Sequence, residues 1–376
     1  MQKKIIALAI ASALVAPAAF ADTSNVTVYG KADMSYDYIT TGTSAAAAAG
    51  VSKGNVSSNV SKLGLKGSED LGDGLSAIWQ IEQQINIDNS GATGNGLATR
   101  NTFLGLKSNS IGTVLMGRHD TPYKISTRAL DIFGDNIADN RSLMGGVSGR
   151  TAAASFDGRQ TDVIAYITPS FSGFTGAIAY VNLNEAATTA ATVANFAAQG
   201  KANALSLAAM YSAAPFYASL AYEEHIIGNN ATLGATPFAG SKEKATKLGL
   251  GYKADAFLVN FVYEKTSDNM TLTTGANKFG HSAYYLAGQY NISSTDAVKL
   301  AYGKSNQIGA VLNSGAKQYS LGYEHAMSKR TKLYAMYSKI NNQAGASNSF
   351  SQTTAVSANG VGASPSVISV GMSHSF

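Results

Sequence analysis

From Val26 onward the chain repeats, in segments of about ten residues, an alternation of apolar and polar or small positions with a period of two, the spacing of a strand whose two faces meet different surroundings. Val298, Leu300 and Tyr302 alternate with Lys299, Ala301 and Gly303, and Tyr319, Leu321 and Tyr323 with Ser320, Gly322 and Glu324. Thr246, Leu248, Leu250 and Tyr252 face away from Lys247, Gly249, Gly251 and Lys253. Phe257, Val259, Phe261 and Tyr263 repeat the pattern less cleanly against Leu258, Asn260, Val262 and Glu264. The pattern predicts an all-β chain of sixteen strands, the first over 25–38, the second over 59–69, the fourth over 98–108 and the last over 366–376. Alternation by itself fits a soluble sandwich equally well.

The connections separate the two architectures. Every second link is a tight turn: Asp70-Leu71-Gly72-Asp73, Asn109-Ser110-Ile111, Ser170-Phe171-Ser172, Ala213-Ala214, Ala254, Ser293-Ser294 and Met327-Ser328. The links between them are long, over 39–58, 88–97, 120–160, 185–201, 225–241, 267–280, 306–315 and 342–365. A soluble β fold has no reason to collect its short turns at one end and its long loops at the other, whereas a transmembrane antiparallel β-barrel does. In hydrocarbon an unpaired backbone group costs several kcal/mol, so the strands must close without an edge. The expectation is one closed barrel over residues 22–376 with both termini on the short-turn side.

Residues 1–21 read as a secretory signal peptide. Lys3 and Lys4 precede the apolar run Ile5–Ala16, and Ala19-Phe20-Ala21 forms a small-x-small cleavage site before Asp22. No other apolar run is long enough for a helical span. Charged residues make up 14% of the chain against roughly 25% in an average soluble protein, while Tyr (19) and Phe (14) outnumber Pro (6), as aromatic girdles on paired strands require. Loss of the leader removes two lysines and lowers the formal charge from +5 to +3, with no basic stripe for nucleic acid. Cysteine is absent, and His119, His225, His281, His325 and His374 lack metal-ligand spacing, so no cofactor or metal is expected. Gly303-Lys304-Ser305 looks like part of a phosphate loop, but Val298 stands where the first glycine should be and the segment reads as strand.

Particular stretches resemble a known family. Val26-Thr27-Val28-Tyr29-Gly30-Lys31-Ala32-Asp33 is similar to the opening strand of the betaproteobacterial type of Gram-negative general porin, and Ser61–Ala77, with Glu69-Asp70-Leu71-Gly72 at its turn, to their most recognisable hairpin. Arg100–Leu106, Gly112–Arg118 with Thr121-Pro122, Tyr166-Ile167-Thr168-Pro169 and the closing Val370–Phe376 extend the likeness along the chain. The resemblance implies a sixteen-stranded homotrimeric barrel in the Gram-negative outer membrane. Such a barrel sits among lipid and lipopolysaccharide, is inserted by the barrel-assembly machinery that reads a terminal Phe such as Phe376, and passes ions and small hydrophilic solutes.

The same resemblance places a constriction. It implies that the loop over 120–160 folds into the lumen with Asp131, Asp135 and Asp139 facing a basic wall of Lys62, Arg100, Arg118 and Arg159, where the family more often has Arg at the position of Lys62. Composition alone fits a solvated surface loop equally well, since Asp157, Arg128, Arg141 and Arg150 also lie within it, and the wall residues fit rim charges. Some loop carboxylates are expected to pair with Arg128 or Arg141, leaving a mild anion preference. A substrate-specific channel and an outer-membrane enzyme remain the alternative functions.

Overall fold

The computed structural model describes residues 26–44, 50–88, 97–145, 156–183, 202–226, 242–269, 279–309, 311–350 and 360–376; residues 1–21, where a signal peptide is expected, Arg150 and the middles of several long loops lie outside the described residues. Seventeen strands occur among the described residues, in order: β1 (Thr27–Thr40), β2 (Ser52–Ser58), β3 (Lys62–Gly72), β4 (Leu75–Gln84), β5 (Thr102–Ser108), β6 (Gly112–Asp120), β7 (Arg159–Ile167), β8 (Phe174–Asn182), β9 (Asn203–Ala213), β10 (Phe216–Ile226), β11 (Lys242–Lys253), β12 (Phe257–Asp268), β13 (Ser282–Asn291), β14 (Asp296–Ser305), β15 (Ala316–Ala326), β16 (Thr331–Asn342) and β17 (Ser366–Ser375). Each strand from β3 to β17 pairs antiparallel with the next. β17 returns to β1 in a register running from Lys31 opposite Ser375 to Thr40 opposite Ser366, which closes the sheet.

β2 and β3 are two halves of one staff, so sixteen strands span among the described residues. Both pair with β1, and between the pairs Met34–Ser58 and Lys31–Lys62 one side carries two residues and the other three. The extra residue is a bulge centred on Val60, whose φ is +50°. Its consequence is a change of face: Val56 is exposed outward before it and Leu63 and Leu65 after it, so Lys62 and Lys66 turn into the lumen. The second strand therefore begins at Ser52, earlier than the expected 59, and the loop expected over 39–58 is correspondingly shorter.

Outside the wall the apolar half of the alternation is exposed: Leu300 at 59% and Ile368 at 55%, with Leu104, Met116, Leu220 and Leu286 on the same face. Inside, Ser206 and Glu223 are fully buried. A surface that exposes its leucines and buries its glutamates has hydrocarbon as its solvent. Rings band both ends, Phe216–Tyr252 (5.4 Å) and Tyr252–Phe257 (5.8 Å) near the tight turns, Tyr284–Tyr302 (6.0 Å) and Tyr302–Tyr319 (5.2 Å) near the long loops. The β3–β4 turn closes through Gly72, Asp73 and Gly74, all with positive φ. At the same end Phe376 exchanges backbone hydrogen bonds with Gly30 (2.9 and 3.1 Å) and its ring lies where a side chain at Gly30 would stand.

The long segment after β6 turns inward. Thr121 is extended, Pro122 opens a short helix α1 (Pro122–Arg128), and the chain then crosses the inner wall, held by successive strands. Ser206 of β9 accepts from the Tyr123 amide (3.0 Å), Tyr217 of β10 donates to the Ser126 carbonyl (2.5 Å), and Asn260 of β12 to that of Leu130 (2.9 Å). Tyr285 of β13 donates to Asp131 (2.8 Å), Lys299 of β14 to the Ile132 carbonyl (3.2 Å) and Gln318 of β15 to that of Ala138 (3.3 Å). The anchor supplied by β11 is a buried cation: Lys247, 1% exposed in its side chain, meets Asp157 at 2.5 Å and Glu264 at 3.4 Å and sits 4.1 Å over the ring of Tyr123. Tyr123 in turn donates to Glu264 (2.8 Å), which also accepts the Gly145 amide (2.9 Å). Where the loop presses closest the wall has glycine: a Cβ at Gly322 would stand 2.7 Å from Phe133.

Removing the cation from this cluster leaves two carboxylates facing each other in a dry site. Lys247→Met is expected to destabilise the folded barrel by about 3–5 kcal/mol in denaturant titrations of vesicle-inserted protein, and to raise single-channel conductance as the loop detaches. Wild-type stability and conductance in the variant would show that the loop is held without this pair.

Candidate pore constriction

The wall facing the inward loop is built from β1, β3, β4 and β7 with the segment before β5: Lys31, Lys62 and Glu82 stand on the lumen face of the alternation, and Asp120 and Arg159 are paired at the ends of β6 and β7 beside the loop. In β4, Ile81 is exposed outward and Glu82 is buried inward. Glu82 collects Lys62 of β3 at 3.4 Å, Arg100 through its Nε at 2.5 Å and the hydroxyl of Tyr29 at 3.0 Å. Lys62 reaches Glu82 as a point charge, while Arg100, which precedes β5, also ties its own amide to the Glu82 carbonyl (3.0 Å). One step along, Arg159 opens β7 with its Nε on Asn101 (2.6 Å) and a terminal nitrogen on Asp120 (3.1 Å), and Asp120 also holds Lys124 at 2.8 Å. Asn101 donates to Asp120 (3.3 Å) and follows Arg100 directly in the chain, which sets the two groups side by side. Lys31 of β1, directly opposite Lys62 in register, pairs with Asp33 at 3.2 Å.

On the loop, Asp131, Asp135 and Asp139 gather around two arginines. Arg128 contacts all three, at 3.3, 3.0 and 2.6 Å, and Arg141 meets Asp135 at 3.3 Å and Asp139 at 2.8 Å. Asp139 also caps the 3-10 turn Asn140–Ser142 by accepting the Arg141 amide (2.8 Å). The side chains of Asp131 and Asp139 have no exposure, whereas Asp135 (32%), Arg128 (24%) and Arg141 (20%) remain open. Burial and the charge of Asp139 push Asp131 up to about 6. Burial opposes ionisation of Asp139 too, but Arg141 and Arg128 outweigh it and hold that carboxyl below the usual carboxylate range. Burial opposes ionisation of Asp135 as well, but Arg128 and Arg141 outweigh it and lower its pKa.

Three of the four wall residues expected from the sequence lie in these adjacent groups, Lys62 and Arg100 on Glu82 and Arg159 on Asp120. Arg118 does not: it lies opposite Thr102 on the face that carries Met116 and Leu104, and its Nε donates to the Thr99 carbonyl (3.1 Å). Gly117 and His119, separated by a bulge against β7, hold the lumen side instead, with His119 against Phe103. The expected acidic face is also different, because two of the three aspartates are enclosed and the loop opens two arginines and one carboxylate to the lumen. Sequence reasoning passed over Lys31, Glu82, Asp120 and Lys124. Glu82 was findable as the one acid at an inward position of its strand, beside Gln80.

No group of three or more potential metal ligands occurs among the described residues. With Lys66 of β3 and Asp37 of β1 also on the lumen face, the arrangement is a charged aperture whose ion-paired groups are five cations (Lys31, Lys62, Arg100, Lys124, Arg159) and three carboxylates (Asp33, Glu82, Asp120) on and beside the wall. The ion-paired groups are all held to fixed strands or to the first turn of the loop.

A family model described as Gram-negative porin matches residues 7–345. Outer membrane porin protein 32 of Delftia acidovorans is 30% identical, the alignment covering all of both chains, and an outer membrane porin protein of Bordetella pertussis is 29% identical over 76% of this chain and 77% of its own. Among solved structures, the anion-selective porin from Comamonas acidovorans superposes with a TM-score of 0.77 at 24% identity, over 94% of this chain and all of that one. A closed barrel with a leucine exterior, a loop fastened across its interior and a charged aperture beside that loop is the architecture of a channel, and the chain belongs to the Gram-negative porin family as an outer-membrane diffusion channel.

Proposed function

We propose that the barrel passes ions and small hydrophilic solutes without specific binding, with a mild preference for anions set at the aperture between the loop and the β1–β7 wall. The observation that carries this reading is the surplus of wall cations over wall carboxylates, opposite a loop whose own acids are largely enclosed by Arg128 and Arg141. Charges fixed in a narrow, low-dielectric passage act on permeating ions more strongly than the chain's net charge does. The assembly is inferred to be a homotrimer among outer-membrane lipids, inserted with Phe376 as the assembly signal, as the family resemblance implies.

Replacing both Arg100 and Arg159 by Ala is expected to move the reversal potential in a planar bilayer toward cations at 0.1 M salt. The permeability ratio should fall about twofold to fivefold, as roughly 0.5–1 kcal/mol of lost attraction gives. The shift shrinks at 1 M, where screening contracts to about 3 Å. Lys329→Ala, at an exposed tight turn, serves as the control and should change little. An unaltered ratio in the double variant would remove both arginines from the aperture.

Asp131 adds a pH signature. Its raised pKa means that it gains a proton as pH falls through about 6, which takes one negative charge from the loop. Anion preference is therefore expected to rise between pH 7.5 and pH 5, and the step should vanish in Asp131→Asn. For stability the sign is the same: the raised pKa favours the folded state at low pH, and that contribution is lost as pH rises through about 6. A pH step of equal size in Asp131→Asn would assign the effect to another group.

Phe376→Asp places a charge on the lipid side of the closing strand. The variant is expected to accumulate in the periplasm and to be depleted from the outer membrane on fractionation; normal outer-membrane levels would remove Phe376 from assembly.

A further inference from the structure

We propose that the carboxylate of Asp37 on β1 holds a desolvated monovalent cation of the sodium or potassium class, in a site enclosed on the inner wall toward the long-loop end. Asp37 is 1% exposed, and neither of its oxygens has a hydrogen-bond partner among the described residues. An ionised carboxylate taken out of water without a partner is among the costliest groups a fold can contain. The other acid on this face of β1 is fully served: Asp33 has Lys31 on one oxygen (3.2 Å) and the Tyr334 hydroxyl on the other (2.7 Å). Lys53, on the same face opposite Ile39, stays exposed and makes no ion pair with Asp37.

Neutral oxygens stand around this carboxylate. The register sets Asn55 of β2 and Ser369 of β17 directly opposite Asp37, one on each side and on the same face. The Cβ atoms of such partners stand about 4.5–5.5 Å apart, and a hard cation lies about 2.3–2.6 Å from each oxygen it binds, so a single ion spans the row. The side-chain NH2 of Asn55 is spent on the Val56 carbonyl and the Ser57 hydroxyl, 3.0 Å each, which leaves its oxygen for a cation. One step toward the tight turns, the Ser35 hydroxyl accepts from Asn59 (2.8 Å) and keeps a second lone pair. One step toward the long loops, Ile39 and Val367 face each other and pack in one buried cluster with Ile137 and Ala138 of the inward loop and with Phe350, which closes the row from the mouth. The chemistry selects the ion. Every donor is a hard oxygen, so soft and borderline metals are poorly served. Asp37 is the one carboxylate among these donors, so a single positive charge is neutralised, whereas a divalent ion would leave charge enclosed. The proposal draws on the closed barrel alone and is independent of the ion preference of the aperture.

The test is anomalous diffraction from crystals of the barrel soaked in thallium(I) acetate, a monovalent probe, with thermal unfolding of the detergent-purified protein as a second readout. Wild-type crystals should show a thallium peak in contact with an Asp37 oxygen and with the oxygen of Asn55 or Ser369. Asp37→Asn keeps the volume, removes the charge and should lose the peak. The unfolding temperature of the wild type should be higher in sodium chloride than in choline chloride at equal ionic strength, since an ion that binds only the folded barrel stabilises it, and this difference should disappear in Asp37→Asn. Absence of a peak at Asp37 in the wild type, or a peak of equal height in the variant, would overturn the proposal. Displacement of the thallium by millimolar calcium would assign a divalent ion and overturn it as well. The wild-type crystals and the comparison of the two salts decide the matter even where the variant fails to insert.

Discussion

The ammonium of Lys247 stands inside the barrel with almost no contact with water, between Asp157 of the loop and Glu264 of the wall and over the face of Tyr123. Taking three charges out of water is costly, and only close geometry with full hydrogen bonding compensates. Here one oxygen of Glu264 accepts the Gly145 amide and the other the Tyr123 hydroxyl, so both ends of the inward loop converge on one residue of β12. A neighbouring buried cluster continues the theme, with His225 between Glu223 and Glu243, each at 2.8 Å, and stacked on Phe156 (4.6 Å). Because these partners lie on rigid strands, the loop has one low-energy position, and the aperture is what remains between it and the opposite wall.

The two sides of that aperture solve the same electrostatic problem differently. On the wall, acids are shared, Glu82 between Lys62 and Arg100 and Asp120 between Arg159 and Lys124, so cations remain in surplus on a stiff support. On the loop, arginines are shared among three aspartates, and the planar guanidinium makes this possible by offering several donors in one plane. The loop cluster is thus chiefly a brace, and it contributes less field than its three carboxylates suggest.

Most of the strands were legible because their outward positions are apolar and their turns carry Gly, Asp or Ser. The segment Ser52–Ser58 escaped because its outward positions include Ser52, Gly54 and Ser58, which break the period-two signal. Lys62, Arg100 and Arg159 were legible through family resemblance. Arg118 illustrates the limit of that route: its own strand places it with Val114 and Met116, a reading the alternation contained and the motif overrode. The enclosure of Asp131 and Asp139 depends on the loop's path back across itself, for which a periodicity holds no information. Tyr285, the partner of Asp131, is 154 positions away in the chain.

The bulge at Val60 couples chain length to orientation. In a helix a lost residue rotates the remaining turns by a fraction of a circle, whereas in a strand it exchanges the two faces outright. Without Val60 the pairing of one half of this staff with β1 would require the wetted and greasy sides of the other half to change places, presenting Lys62 and Lys66 to hydrocarbon and Leu63 and Leu65 to the channel. For the gene this means that single-codon gains and losses are read very differently along its length. Within a staff they act like a change of reading phase, silent only in pairs, while between staves at the long-loop end, the inward segment after β6 excepted, they merely alter how much chain reaches beyond the membrane.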